Sequence, residues 1–372
     1  MIIRNGAVLR DGVFTQTDIR ITGGRIGGFG SFPDDSDVYD AAGLYVLPGL
    51  IDTHIHGSVG VEFASPDEDF EKARVWLARQ GVTGFAATVR ALPADRTIAA
   101  ERNILRESRK PSKGAHLFGI HLEGPFVSPK KSGVMHPPEE TCAVETFSRF
   151  VEAGEGLLKI MTIAPERENA LAVIVAAKAA GVHASLGHTD ATYAQAEAAI
   201  DAGASRATHV FNAMRPFCHR ETGVLGAVLT DERVNTEMIC DLVHNDPPTV
   251  RMVYRLKGAH GMTLVSDSGV MSGLGDGEYV VDGHTRIVSG GVCRSPEGRI
   301  AGSTVSMAAG AKTLAALGVP LADIAVMGAK TPAKVLGIDH ITGAIQEGLL
   351  ADLIVVDAAF DVKAVFVEGK HL

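Results

Sequence analysis

No apolar run in this chain reaches the ~20 residues that a membrane-spanning helix needs. The N-terminus, Met1-Ile2-Ile3-Arg4-Asn5-Gly6, lacks the charged-then-apolar pattern of a secretory signal. Cysteine is scarce: Cys142, Cys218, Cys240 and Cys293 form neither a C-x-x-C pair nor a dense framework. That argues against a disulfide scaffold, and reduced thiols in a cytoplasmic protein with no membrane partner are the expectation. There is no basic block, and the formal net charge is −9. Nucleic acid is therefore not an expected partner. No G-x-G-x-x-G follows the first barrel-type strand, and no P-loop occurs anywhere. Neither internal repeats nor low-complexity segments are evident. An anionic ligand must be held locally, by a few placed cations or backbone N–H groups.

The chain does have ample apolar content. Hydrophobic residues make up 46% and charged residues 21% of 372, so a sizeable core is expected and disorder is not. The length exceeds the roughly 250 residues of one α/β barrel, leaving room for a smaller unit. Both ends look like short strands with glycine turns. Asp11-Gly12 and Gly23-Gly24 are hairpin signals near the start. At the other end, Leu353-Ile354-Val355-Val356 and Val365-Phe366-Val367 alternate with turns. Neither end has enough apolar surface to fold alone. The expectation is that residues 1–48 and 341–372 pack together as one small β-sandwich, discontinuous in sequence, around a barrel spanning 49–340.

Between the ends, strand-like and helix-like segments alternate. Candidate strands end near His56, Val89, Phe126, Pro165, Thr189, Met214, His244 and Ser268. Candidate helices lie around 67–80, 95–109, 140–153, 167–180, 190–202, 223–230, 246–257 and 303–317. Gly181 is a helix stop, and Asp190 and Asp246 are candidate N-caps. Eight β-then-α units predict an α/β fold, a (β/α)8 TIM-type barrel. An open doubly wound sheet is the competing architecture.

Residues able to bind metal end several of these strands. His54-Ile55-His56 puts two imidazoles on one side of a strand, because side chains alternate faces. Taken alone, the pair also fits ordinary strand-end histidines. Glu123 ends the third strand, His188 the fifth, His209 and Asn212 the sixth, His244 the seventh and Asp267 the eighth. In such a barrel, catalytic groups come from the C-terminal strand ends. Imidazole with carboxylate suits zinc, iron, nickel or cobalt better than magnesium or calcium. Glu123, His188 and His209 form a three-ligand set with an open position, the pattern of a catalytic metal site. Asp267 is then placed as general base and later general acid, the alternative being a turn carboxylate before Ser268-Gly269.

These stretches resemble the N-acetylglucosamine-6-phosphate deacetylases of the amidohydrolase superfamily. The resemblance covers essentially the whole chain. It is carried by the segments Pro48 to Gly57, His121 to Phe126, Gly187-His188-Thr189, Thr208 to Met214 and Gly302-Ser303-Thr304. It implies a (β/α)8 barrel with a small β-sandwich built from both termini. It implies metal ligands at Glu123, His188 and His209, a catalytic aspartate at Asp267, and a carbonyl-polarising histidine at His136. Substrate contacts fall on Met135, His136, Asn212, Ala213, Arg220 and His244, with Ile300, Ala301 and Gly302 facing the sugar. Because His54 and His56 are present, one or two divalent ions per subunit are implied. Zinc is the first choice, with iron, cobalt, nickel or manganese as alternatives. The implied assembly is a homodimer in which Arg220 reaches a neighbour's pocket, its alternative being a solvated surface arginine. Lys159 opens the fourth strand at the wrong end for a metal-bridging lysine and is read as structural. The implied reaction is removal of the acetyl group from an amino-sugar phosphate in amino-sugar catabolism. The rivals are the galactosamine epimer, another N-acyl amino sugar, another amidohydrolase substrate, or a non-catalytic barrel. The last would show a missing ligand or aspartate, and none is missing.

Overall fold

The computed structural model describes residues 1–33, 37–281 and 283–372. Eight parallel strands form one sheet: β1 (Leu50–Ile55), β2 (Val82–Arg90), β3 (His116–Glu123), β4 (Leu158–Ile163), β5 (His183–Leu186), β6 (Arg206–Ala207), β7 (Asn235–Ile239) and β8 (Met262–Val265). Neighbours in the sheet follow chain order. The sheet closes just beyond β8, where Ile55 bridges Ser268 and the Asp267 N–H donates to the His54 carbonyl at 2.9 Å. This is the predicted barrel, not the open sheet. Its strands are buried on both faces, which is why they read as near-continuous apolar runs.

Helices α1 (Glu71–Arg79), α2 (Ala94–Ser108), α3 (Val144–Gly154), α4 (Ala170–Ala179), α5 (Tyr193–Ala202), α6 (Gly223–Thr230), α7 (Pro247–Gly261) and α8 (Met307–Ala316) alternate with and follow the strands. All lie where expected, shifted by a few residues. Asp246 caps α7, accepting from the Thr249 N–H at 3.0 Å. Asp190 does not cap α5. Thr192 does, in a reciprocal capping box with Gln195, while Asp190 faces Lys131 and Arg215.

Several strands end earlier than predicted. β3 stops at Glu123, β5 at Leu186, β6 at Ala207 and β7 at Ile239. Beyond these ends and that of β8, His188, His209, Phe211, Ala213, Leu242 and Asp267 take φ between 28° and 75°. Strand geometry cannot contain such residues. The chain turns left-handed there and aims their side chains over the rim. Gly187 precedes His188 because β6 passes too close for a side chain: a Cβ there would sit 2.6 Å from that of Thr208.

A second departure follows β8. Residues expected only as a connection form an antiparallel sheet of β9 (Gly277–Val281), β10 (His284–Ser289), β11 (Val292–Arg294) and β12 (Ile300–Ser303). β12 returns to the barrel: the Ser303 N–H donates to the Asp267 carbonyl at 2.9 Å, and the Gly269 N–H donates to that of Ser303 at 3.0 Å.

The termini supply two further sheets. In one, Leu353–Val356 pairs antiparallel with Tyr45–Pro48, which also pairs with Ala7–Arg10. The other orders Arg25–Gly30, Asp18–Thr22, Ile2–Arg4 and Val38–Asp40. Ile3, Val8, Ile19, Leu353, Val355 and Phe366 share one apolar cluster between them. The hairpins at Asp11-Gly12 and Gly23-Gly24 form as expected, each with two residues at positive φ.

Candidate active site and metal centre

The rim of the barrel gathers six ligand-type side chains. Glu123 Oε1 lies 3.0 Å from His209 Nε2, 3.1 Å from His188 Nε2 and 3.3 Å from His54 Nε2. Glu123 Oε2 is 3.4 Å from His56 Nε2. Asp267 Oδ1 lies 3.2 Å from His56 Nε2 and 3.4 Å from His54 Nε2. Ligand atoms of Glu123, His188 and His209 lie within 4.8 Å of one another, as do those of His54, His56 and Glu123, and of His54, His209 and Asp267. His54 is wholly buried.

The ring orientations show what this cluster fits. His54 Nδ1–H donates to Glu237 at 2.9 Å, and His188 Nδ1–H donates to the Lys131 carbonyl at 2.8 Å. With that hydrogen committed outward, a neutral ring turns its Nε2 lone pair toward Glu123. Lone pairs facing a carboxylate at 3.1–3.3 Å need a proton or a cation between them. His54 Nε2 is buried with no hydrogen-bond partner among the described residues, and the His188 and His209 Nε2 atoms face each other at 3.1 Å. The donor set is imidazole and carboxylate, which suits a borderline divalent ion. The residues present therefore fit a metal centre.

Within the cluster, imidazole and carboxylate favour each other's charged forms. Burial alone would lower His56, but hydrogen bonds to Asp267 and Glu123 hold it up at about 9. Burial would raise Asp267, yet the His54 charge and the His56 hydrogen bond bring it down to about 2. Glu123 is likewise buried but held well below the usual carboxylate range, by His188 and His54.

Beneath the rim the barrel is filled by polar groups that satisfy one another. His121 Nε2 meets Thr162 Oγ1 at 2.8 Å, Thr162 meets Thr208 at 2.8 Å, and Thr208 meets Ser185 at 2.7 Å. Burial, and then the His54 charge, push His121 down to about 3, so that ring stays neutral. Glu237 and Arg206 form a buried pair at 3.0 Å. Sequence reading missed both. The available signal was a charged residue facing inward in otherwise uncharged strands.

Above the rim lies a cavity of about 520 Å³. His56, Glu123, His188, His209 and Asp267 form its floor. Asn212, Ala213 and His244 line one part, and Ile300, Ala301 and Gly302 of β12 another. Met135 and His136 enter from the loop after β3. His136 is exposed, and its ring stands 4.7 Å from that of His284 on β10. Burial would lower His244, but Asp241, at 2.7 Å from its Nδ1, raises it. That favours a charged donor facing the cavity.

Arg220 is exposed on the turn closed by the Cys218–Glu221 bridge, and among the described residues it is not part of this chain's cavity wall. Cations that do line the cavity were not foreseen: Arg90, which pairs with Glu62 at 3.1 Å, Arg96, and Arg286 of β10. Lys159 stands near the start of β4, at the end of the strand opposite the rim.

A parallel barrel with a carboxylate–imidazole centre at its C-terminal rim defines a class, and comparison places the chain in it. The amidohydrolase family model matches residues 45–372, and the chain belongs to that family. More narrowly, it is 34% identical over 329 residues to an N-acetylglucosamine-6-phosphate deacetylase of Vibrio furnissii, covering 87% of this chain and 82% of the relative. It is 32% identical over 364 residues to an N-acetylgalactosamine-6-phosphate deacetylase of Escherichia coli O157:H7, covering 97% and 96%. Among solved structures, a mutant N-acetyl-D-glucosamine-6-phosphate deacetylase of Mycobacterium smegmatis, in complex with N-acetyl-D-glucosamine-6-phosphate, matches with a TM-score of 0.93. That match has 33% identity and covers 100% of this chain and 98% of that one.

Proposed function

We propose that this chain hydrolyses the acetamide of N-acetylglucosamine 6-phosphate, giving glucosamine 6-phosphate and acetate. The observation that carries this reading is the cavity whose floor joins Glu123, His188 and His209 to Asp267 and whose wall bears His244 and Asn212. Glu123, His188 and His209 would hold one divalent ion, and His54 and His56 would hold a second with Glu123. When bound, the ion supplies Lewis acidity toward the acetyl carbonyl and lowers the pKa of water. Zinc is the first choice on ligand type.

Asp267 accepts the proton of the attacking water as its oxygen bonds to the acyl carbon. It then passes that proton to the departing nitrogen as the C–N bond breaks. His136 is assigned the hydrogen bond to the developing oxyanion. His244 and the Ala213 N–H are assigned to the phosphate, joined by Arg220 of a second copy in a homodimer. Met135, Asn212, Ile300, Ala301 and Gly302 are assigned to the sugar. Residues 49–340 form the hydrolase barrel in this reading, and 1–48 with 341–372 the small domain. No helix among the described residues is long and apolar enough to cross a membrane, and a cytoplasmic site is proposed.

The galactosamine epimer is the second reading, favoured by the Escherichia coli relative. Acetate release from the two epimeric 6-phosphates decides between them. We expect the glucosamine compound to lead by about tenfold or more in kcat/KM, a difference of about 1.4 kcal/mol. The reverse order moves the substrate to the epimer. No acetate from either overturns the reading.

A further inference from the structure

The interior of the barrel contains one arrangement that the reaction above does not use. Glu237 and Arg206 are fully buried and paired at 3.0 Å among hydroxyls and a neutral imidazole. A buried ion pair is a poor way to stabilise a core, because apolar residues of similar volume do as well or better. Its presence calls for a reason, and the other contacts of Glu237 supply one. Oε2 accepts the His54 Nδ1–H at 2.9 Å and the backbone N–H of His209 at 3.4 Å. The Glu237 carbonyl accepts the Val210 N–H at 3.0 Å. One strand residue thus braces a histidine from β1 and the left-handed turn after β6.

Arg206 is braced in turn. Its Nη1 donates to Asn235 Oδ1 at 3.3 Å, and the Thr263 hydroxyl donates to the same oxygen at 2.6 Å. The guanidinium fixes the carboxylate, and the carboxylate fixes the ring. A carboxylate can only accept, so it leaves His54 one arrangement, with hydrogen on Nδ1. Nε2, buried and without a hydrogen-bond partner among the described residues, is then the atom turned toward Glu123 and Asp267.

We propose that Glu237, held by Arg206, is a positioning residue that sets the His54 tautomer and so gives the chain its capacity for a second ion. This rests on the metal-centre reading above. The ion at Glu123, His188 and His209 does not depend on the His54 tautomer: His188 is oriented by the Lys131 carbonyl, and the amide of Glu237→Gln still offers an oxygen to the His209 N–H.

The test counts ions. Metal-free wild type and Glu237→Gln are titrated with cobalt(II), desalted and analysed for cobalt per chain. An amide can donate as well as accept, so it no longer dictates which ring nitrogen keeps the hydrogen. The expected result is two ions in the wild type and one in the variant, or a second ion bound about 10- to 100-fold more weakly. Two ions bound with unchanged affinity in Glu237→Gln overturn the proposal. So does a wild type that takes up one ion, and so does loss of both ions from a folded variant.

A second measurement needs no Glu237 variant. In cadmium-loaded wild type labelled with 15N-histidine, the His54 ring is identified by its loss in His54→Gln. It should show a protonated Nδ1 and a cadmium-coupled Nε2, and the opposite pattern overturns the proposal. Acetate release is scored separately, so an error in the substrate leaves the ion count standing.

Discussion

The floor and the mouth of the cavity are built by different physics. The floor is buried and crowded with ligand atoms. Its carboxylates and imidazoles lie 3.0–3.4 Å apart, on strand ends locked by the barrel. The mouth is made of the loop bearing His136, the β9–β10 hairpin and exposed side chains, with Arg220 standing outside. The contrast teaches that the groups doing the chemistry are organised before substrate arrives. Those at the mouth are not held this way; under the proposed function they come together around the sugar phosphate, with Arg220 contributed by a second copy.

The largest expected effect tests the floor. Asp267→Asn should lose about 10³-fold or more in kcat, since it removes the proton acceptor. The variant should still fold and bind metal, which circular dichroism and metal analysis check. His136 is the one residue of the mouth assigned to the oxyanion, so His136→Gln should lower kcat by about 10²- to 10³-fold with KM little changed; a change in KM alone would return it to sugar binding and sharpen the division. A smaller effect is expected elsewhere at the mouth. Arg220→Ala should raise KM for the phosphorylated sugar about 10- to 100-fold and leave kcat near wild type, as loss of a charge-assisted contact predicts. An equal loss on the unphosphorylated sugar would remove Arg220 from phosphate binding.

The smallest effect lies outside the cavity and sharpens what burial alone does. Glu101 on α2 is as buried as Glu123, but neither of its carboxylate oxygens has a hydrogen-bond partner among the described residues. Burial pushes its pKa from 4.5 to about 9, the opposite of Glu123. The fold prefers the neutral acid while the unfolded chain ionises above 4.5. Wild-type stability at this site is therefore complete below that pH and declines as pH rises toward about 9. Glu101→Leu should leave turnover unchanged and stabilise the protein by about 1–3 kcal/mol at pH 8. The gain should shrink toward pH 4.5, as urea unfolding at several pH values can show.

The same division governs what the sequence discloses. The floor is legible because its ligands sit at the ends of apolar runs, where H-x-H, Glu-Gly-Pro and His-x-x-Asn-Ala-Met stand out. The eightfold alternation of strands and helices is legible for the same reason. Strand ends are less so. His188, His209 and Asp267 follow strands in sequence but lie in left-handed turns, and periodicity does not encode that change. The β9–β12 insertion is hidden because its strands are short and half-exposed. Glu237 escapes notice because a lone charge inside a strand takes its meaning from partners on β1 and β6, distant in the chain. Arg90, Arg96 and Arg286 reach the cavity through tertiary placement, and no local pattern announces it.

Ser303 grips the peptide oxygen of Asp267, and Ile300, Ala301 and Gly302 form the cavity wall immediately upstream of it. Under the proposed roles, a sugar that shifts this strand on docking tugs the very peptide that carries the proton acceptor. Recognition and reactivity then share one lever, and a molecule wedged beneath the hairpin could stall turnover without displacing a single ligand.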